Sequence, residues 1–257
     1  MEIVLYTEVK IDIYENVAVI EFNRKNPYNP FGNSLTTEIT KALEELIMND
    51  KVQAIILTGG VNKSFSVGGD FNEVIELKGY EDVDVWINNL IELYKMPLKS
   101  PKPVISAVDN YAVGIGMQLF LMCDWRIATL RSKIILPELA NGLSCTLGAH
   151  IVSSIFGISI MQDVVYGCKK IDISDALNIK MVNEIVSPEK LIEDSVKRAQ
   201  IMSSYPISAF SDTKKVVSNS MIEMLDTASK STKDACKRAF SSGNPQKFMN
   251  KILKNKN

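Results

Sequence analysis

The chain has 257 residues, 46% of them hydrophobic and 23% charged, with 29 basic against 30 acidic side chains and a net charge of −1. That length and balance suit a folded domain with a sizeable core, and they offer no electrostatic pull toward nucleic acid or an anionic membrane. Cys123, Cys145, Cys168 and Cys236 form no CxxC pair, and His150 is the single histidine, so a zinc knuckle, a redox pair and a His-rich metal site are excluded and no metal is expected.

In chain order, the N-terminal ten residues lack the basic region and long apolar core of a secretory signal. No segment reaches the ~20 unbroken apolar residues of a membrane span, so a cytoplasmic protein is expected. Residues 6–13 and 17–22 read as the strands of a hairpin, followed by a loop over 23–30 rich in breakers and carrying Arg24 and Lys25. Ser34 reads as the N-cap of a helix reaching Met48, and Ala54–Thr58 as a buried strand. The spacing predicts a helix over 83–94 ended by Pro97, then a strand over 104–108, a turn at 109–111 and an apolar helix over 115–123. Short strands at 125–128 and 133–136 precede a loop opened by Pro137-Glu138. Helical segments follow at about 148–156, 159–166, 174–178, 190–203, 207–217 and 221–240, and His150 reads as a packed residue of the first. Residues 247–257 form a basic tail with Lys247, Lys251, Lys254 and Lys256, read as a solvated terminus with phosphate binding as the second reading.

Two stretches carry chemistry. Gly68-Gly69 stands at a strand-to-helix transition, where backbone N–H groups lack intrahelical partners. Such groups can bind an anion or a developing oxyanion, while a tight turn is the plainer reading. The second stretch repeats the pattern: Ile115 lies between Gly114 and Gly116 where a strand feeds a helix, and the helix dipole adds positive character to its N–H. Two such units side by side in one sheet would bring the N–H groups of Gly69 and Ile115 to a common point, the arrangement of an oxyanion hole. With one histidine in an apolar run, catalysis falls to carboxylates, backbone dipoles or the ligand itself.

Phe65-Ser-Val-Gly-Gly-Asp70-Phe-Asn-Glu, Pro103-Val-Ile-Ser-Ala-Val-Asp109-Asn-Tyr-Ala-Val-Gly-Ile-Gly-Met-Gln118 and Asp124-Trp-Arg-Ile-Ala128 with Leu136-Pro-Glu138-Leu together resemble the crotonase (enoyl-CoA hydratase/isomerase) superfamily over nearly the whole chain. The resemblance implies an α/β fold: a spiral of ββα units over residues 1–200 holding an acyl-CoA site, and a helical C-terminal region over 201–257 that forms trimers or dimers of trimers. It implies a thioester carbonyl held between the N–H groups of Gly69 and Ile115, with Gly68 and Gly114 shaping the turns, and no cofactor beyond the coenzyme A of the substrate.

Hydratases of this family carry two glutamates, and here the first position is Gln118 while the second is Glu138. An amide cannot shuttle a proton, so paired-carboxylate hydration looks impaired. Gln118 is open to a structural or a site role, and Glu138 to an acid–base role or that of a surface loop carboxylate. The phrase Ser64-Phe-Ser-x-Gly-Gly-Asp-Phe-Asn-Glu-Val74, Trp86, Gln118 and Ser203-Ser-Tyr-Pro-x-Ser-Ala-Phe210 resemble the branch of the superfamily that serves carbapenem biosynthesis. That branch decarboxylates malonyl-CoA, joins the enolate to the cyclic imino acid pyrroline-5-carboxylate and hydrolyses the thioester. In that likeness Glu138 handles the hydrolytic water, and Trp86 lines the acyl pocket or serves as a core tryptophan. A family histidine that meets the amino-acid carboxylate falls at Cys236, with Lys233, Lys237 and Arg238 nearby as substitutes. Lys25, Arg24 and the C-terminal lysines are the candidates for the CoA phosphates. Hydratase, isomerase or malonyl-CoA decarboxylase chemistry, and a non-catalytic CoA-binding relative, are the alternatives.

Overall fold

A computed structural model describes residues 6–77 and 80–254; the first five residues, and Lys256 of the basic tail, lie outside the described residues. Strand β1 (Val9–Tyr14) pairs antiparallel with β2 (Val17–Phe22), and β3 (Ala54–Thr58), β4 (Val104–Val108), β6 (Trp125–Thr129) and β8 (Glu184–Val186) continue the sheet in parallel, in the order β1-β2-β3-β4-β6-β8. The central strands are buried on both faces, which is why 54–58 and 104–108 read as unbroken apolar runs rather than alternations. One face, with Val17, Val19, Ala54, Ile56, Ile105 and Ala107, packs on Leu191 and Ala199 of α8 (Leu191–Ser203). The other, with Ile20, Phe22, Ile55 and Leu57, belongs to the main core, shared with α1 (Asn33–Met48) and α3 (Tyr80–Lys99).

A second sheet pairs β5 (Tyr111–Val113) with β7 (Lys133–Ile135) in parallel. Single bridges lengthen it: Phe31 to Gly69 and Ser66 to Ala112 on one side, and Ile134 to Ile171 on the other. Each pass of the chain therefore leaves one strand in the large sheet and one in the small, with a helix behind. The glycine turns sit at the end of neighbouring passes, the first running into α2 (Phe71–Val74) and the second into α4 (Ile115–Leu121). The helical remainder comprises α5 (Thr146–Phe156), α6 (Ile158–Met161), α7 (Ile173–Asn178), α8, α9 (Ile207–Ser242) and α10 (Asn244–Lys254). None of the described helices is long and apolar enough to cross a membrane.

Several local expectations change. Helix α1 starts at Asn33 with Gly32 as its cap residue, and its exposed first N–H is taken by the Glu73 carboxylate (2.7 Å), so Ser34 is not the cap. Pro97 does not end α3; a proline near the last turn removes only its own N–H, and packing of α3 against α1 and α9 carries the helix to Lys99. The segments expected at 207–217 and 221–240 are one 36-residue helix, since nothing between them breaks it and Leu225, Ala228, Thr232 and Phe240 bury a continuous stripe. His150 is exposed, because the buried stripe of α5 is Leu147, Gly148, Ile151 and Val152. The turn expected at 109–111 gives way at Tyr111 to β5, and β8 was not read at all. The basic tail, expected to be solvated, is the amphipathic helix α10: Met249 is buried while Lys247, Lys251 and Lys254 share its exposed face.

Candidate active site

The first turn is built by its neighbours. Phe31 N–H donates to Gly68 O (2.7 Å), Asp70 N–H to Phe31 O (2.9 Å) and Val67 N–H to Tyr28 O (3.1 Å). Gly68 adopts φ +95°, which disfavours any side chain there, and its N–H donates to Ser66 Oγ (3.1 Å). Asp70 then caps α2 by accepting the Asn72 N–H, while its second oxygen accepts from the Arg24 guanidinium at 2.8 Å. Arg24 is held in turn by Glu8 at 3.1 Å, and both ends of the Arg24–Asp70 pair are largely buried. Arg24, a sequence candidate for phosphate binding, is thus committed to holding the turn.

The second turn is held by backbone. Gly114 takes φ +54°, and its N–H donates to Ile135 O on β7 (2.9 Å). Val113 N–H donates to Ser66 O (2.9 Å), and Ser66 N–H to Tyr111 O (3.0 Å), which locks the two turns against each other. A Cβ placed on Gly116 would come within 2.7 Å of Ser66 Cβ, so only glycine permits this approach. A Cβ built on Gly69 would lie 3.2 Å from Val74 Cγ2 and 3.5 Å from Ile115 Cδ1. Among the described residues, neither the N–H of Gly69 nor that of Ile115 has a protein acceptor.

Both turns open on one cavity of about 110 Å³, which Gly68, Gly69, Gly114, Ile115, Gln118, Glu138 and Trp86 all line. Trp86 serves in both of the roles open to it, lining the cavity and packing edge-on against the buried Phe240 ring (6.2 Å between centroids). Lys25 does not line it and sits exposed in the 23–30 loop.

Among the described residues, Glu138 is the only acidic side chain in the lining. Its Oε1 accepts a hydrogen bond from Gln118 Nε2 (3.1 Å), and Gln118 Oε1 accepts one from the hydroxyl of the fully buried Tyr94 (3.2 Å). Its Oε2 is buried without a protein partner among the described residues. Burial pushes the carboxyl up to about 7, against the opposing pull of hydrogen bonds from the Cys145 thiol and the Gln118 amide. A carboxyl poised near neutrality can take a proton from water and give it back.

Tyr94, Cys145, Leu143, Thr232 and Met249 also shape the site and were not singled out in the sequence. Tyr94 carried only the signal of an apolar helix face, and Met249 only that of an assumed tail. Cys236 does face the cavity, one turn after Thr232 on the same side of α9. Its neighbouring cations do not: Lys237 pairs with Asp84 at 2.7 Å and, with Lys233, lines a separate surface depression. The cavity lining among the described residues contains no lysine, arginine or histidine.

With this geometry in place, the sequence pattern of the enoyl-CoA hydratase/isomerase family matches residues 12–255. The chain is 37% identical to the carboxymethylproline synthase of Pectobacterium carotovorum subsp. carotovorum, over 93% of this chain and 96% of that one. It is 28% identical to the short-chain-enoyl-CoA hydratase of Clostridium acetobutylicum, over 92% and 91% of the two chains. Among solved structures, ThnE from S. clavuligerus superposes with a TM-score of 0.77 at 25% identity, covering 88% of this chain and 99% of ThnE. An enoyl-CoA hydratase/isomerase from Xanthobacter autotrophicus Py2 superposes with a TM-score of 0.85 at 23% identity, covering 95% and 91%. Two facing glycine turns, one cavity and a match across almost the full length lead to one conclusion: the chain belongs to the enoyl-CoA hydratase/isomerase family, the crotonase superfamily of acyl-CoA enzymes.

Proposed function

We propose that this chain is a carbon–carbon bond-forming enzyme of the carboxymethylproline synthase kind, acting on malonyl-CoA and pyrroline-5-carboxylate. The observation that carries the reading is the pairing of one carboxyl, Glu138, with an amide, Gln118, at 3.1 Å beside two unpartnered N–H groups. Hydration by two carboxylates has no second carboxylate to use here. The 37% identity to a carboxymethylproline synthase points the same way.

In this reading the thioester oxygen of malonyl-CoA accepts from Gly69 N–H and Ile115 N–H. The bond from C2 to the carboxylate breaks, carbon dioxide leaves, and the electron pair spreads over C2 and that oxygen as the enolate. Preorganised donors of this type are worth ~3 kcal/mol each to the transition state. C2 then attacks the C=N carbon of pyrroline-5-carboxylate in its N-protonated form, and the C=N pair passes to the nitrogen, which keeps its proton as the neutral ring amine. Finally Glu138, as carboxylate, takes a proton from water while its oxygen attacks the thioester carbonyl, and the proton passes to the departing CoA sulfur. The cavity has room for roughly four waters' volume, which suits a short acyl group. Its apolar wall and lack of cations leave the malonyl carboxylate poorly solvated, favouring its loss as neutral carbon dioxide. The exposed lysine face of α10 is the better placed of the cation candidates for CoA phosphates, since α10 packs on the turn following Glu138. The assembly we propose is a homotrimer or dimer of trimers.

Incubation with malonyl-CoA, with and without pyrroline-5-carboxylate, tests the reading. Release of carbon dioxide, free CoA and carboxymethylproline is expected. Rapid hydration of crotonyl-CoA with malonyl-CoA untouched overturns it.

A further inference from the structure

Tyr94 lies on α3, away from both glycine turns, yet its hydroxyl reaches two groups of the site. It stands 3.2 Å from Gln118 Oε1 and 3.4 Å from the carbonyl of Ile115, a residue that lines the cavity. The ring is fully buried, so no water competes for that hydroxyl. Burial and the nearby Glu138 hold the phenol well above its ordinary range, so it stays a donor at every working pH.

A glutamine amide has two faces of opposite character, one accepting and one donating. Turned as observed, Gln118 accepts a hydrogen bond from Tyr94 on Oε1 and donates one to Glu138 from Nε2 (3.1 Å). Turned the other way, it would present Oε1 to Glu138, a contact that only the protonated carboxyl tolerates. The remaining titratable groups facing Glu138 are the Cys145 thiol at the start of α5 and the Tyr94 phenol; α9 contributes Cys236 and α10 contributes Met249 to the cavity, without charge.

We propose that Tyr94 is a positioning residue: by donating to Gln118 Oε1 it orients the amide as a donor to Glu138 Oε1, and so favours the charged carboxylate over the protonated acid. Oε2 is the atom buried without a partner. The hydroxyl carries one proton, so the Ile115 carbonyl, at 3.4 Å against 3.2 Å to Gln118 Oε1, is the weaker of two competing acceptors.

The test is a titration of Glu138 in protein with 13C-labelled glutamate carboxyls, its resonance assigned by its loss in Glu138→Gln. Tyr94→Phe, which keeps the ring, is expected to raise the titration midpoint by roughly one pH unit, because the amide no longer favours the charged form. Gln118→Leu is expected to shift it in the same direction. In the Gln118→Leu background, Tyr94→Phe is expected to add nothing, and this comparison carries the test if the single Tyr94 variant does not fold. An unmoved midpoint in folded Tyr94→Phe, or an equal shift in both backgrounds, overturns the proposal. The kinetic side rests on the malonyl-CoA reading: the pH–rate profile should move with the midpoint while KM stays within about twofold. A shifted titration in a protein that does not turn over malonyl-CoA sustains the relay and removes the function reading alone.

Discussion

The two glycine turns offer the same backbone group to one cavity, yet they are held by different physics. The Gly68-Gly69 turn has backbone bonds to Tyr28 and Phe31 and adds side chains to them: Ser66 Oγ accepts the Gly68 N–H, and the Arg24–Asp70 pair at 2.8 Å anchors the start of α2, which is only four residues long. The Gly114 turn is fixed by the β5–β7 ladder and by steric contact, and it feeds α4, all seven residues of which are buried. The first donor therefore depends on a charge pair that mutation can remove in steps. The second depends on the absence of a methyl group and has no intermediate state.

The sharpest way to break this comparison is Gly116→Ala. Its Cβ would drive into Ser66, 2.7 Å away, and separate the turns. On the proposed reaction, kcat should fall ~100- to 1,000-fold, as for the loss of one oxyanion donor, in steady-state assays with malonyl-CoA. Asp70→Asn keeps a capping oxygen but loses the ion pair, so a smaller fall of about tenfold is expected, with thermal stability lowered by ~1–2 kcal/mol.

Glu138 sharpens the comparison from the other side, since it lies against the second turn; a Cβ on Gly114 would meet its Oε1 at 3.3 Å. Its folded value of about 7 stands above the 4.5 of an unperturbed glutamate. Below pH 4.5 both folded and unfolded chains carry the proton, and burial has no ionisation penalty. Between 4.5 and 7 the unfolded chain loses its proton first, so the fold loses stability as pH rises, by up to ~3 kcal/mol above 7. Glu138→Gln should therefore stabilise the protein at pH 8 and not at pH 4 in denaturant titrations, while abolishing thioester hydrolysis. The smallest effect is expected for Lys25→Ala, exposed and outside the cavity: KM for the acyl-CoA should change less than about twofold.

Much of this arrangement was legible in the residues. The apolar runs at 54–58 and 104–108, each followed by glycines and a helical pattern, were enough to expect two strand–turn–helix units with free amides. Gln118 and Glu138 could be named as a pair only through the resemblance to the family's two-glutamate pattern. Tyr94 could not, because an aromatic on an apolar helix face reads the same whether its hydroxyl meets a carbonyl or a catalytic amide. The charged neighbours of Cys236 misled for a related reason: proximity in sequence says nothing about which side of a helix faces the cavity. The long α9 was read as two segments because Ser218, Asn219 and Ser220 interrupt the apolar periodicity without breaking the helix.

By itself the sequence determined where the backbone turns, which amides those turns leave free, and that one carboxyl stands where hydratases of this family have two. These are local properties, set by glycine, strand and helix patterns over a few residues. Only the tertiary structure decided that the tail returns as α10 to cover the site, that Arg24 serves the turn, and that burial moves Glu138 to about 7. Burial and hydrogen bonding at that carboxyl come from α3, α4 and α5 together, and no stretch of chain carries that information alone.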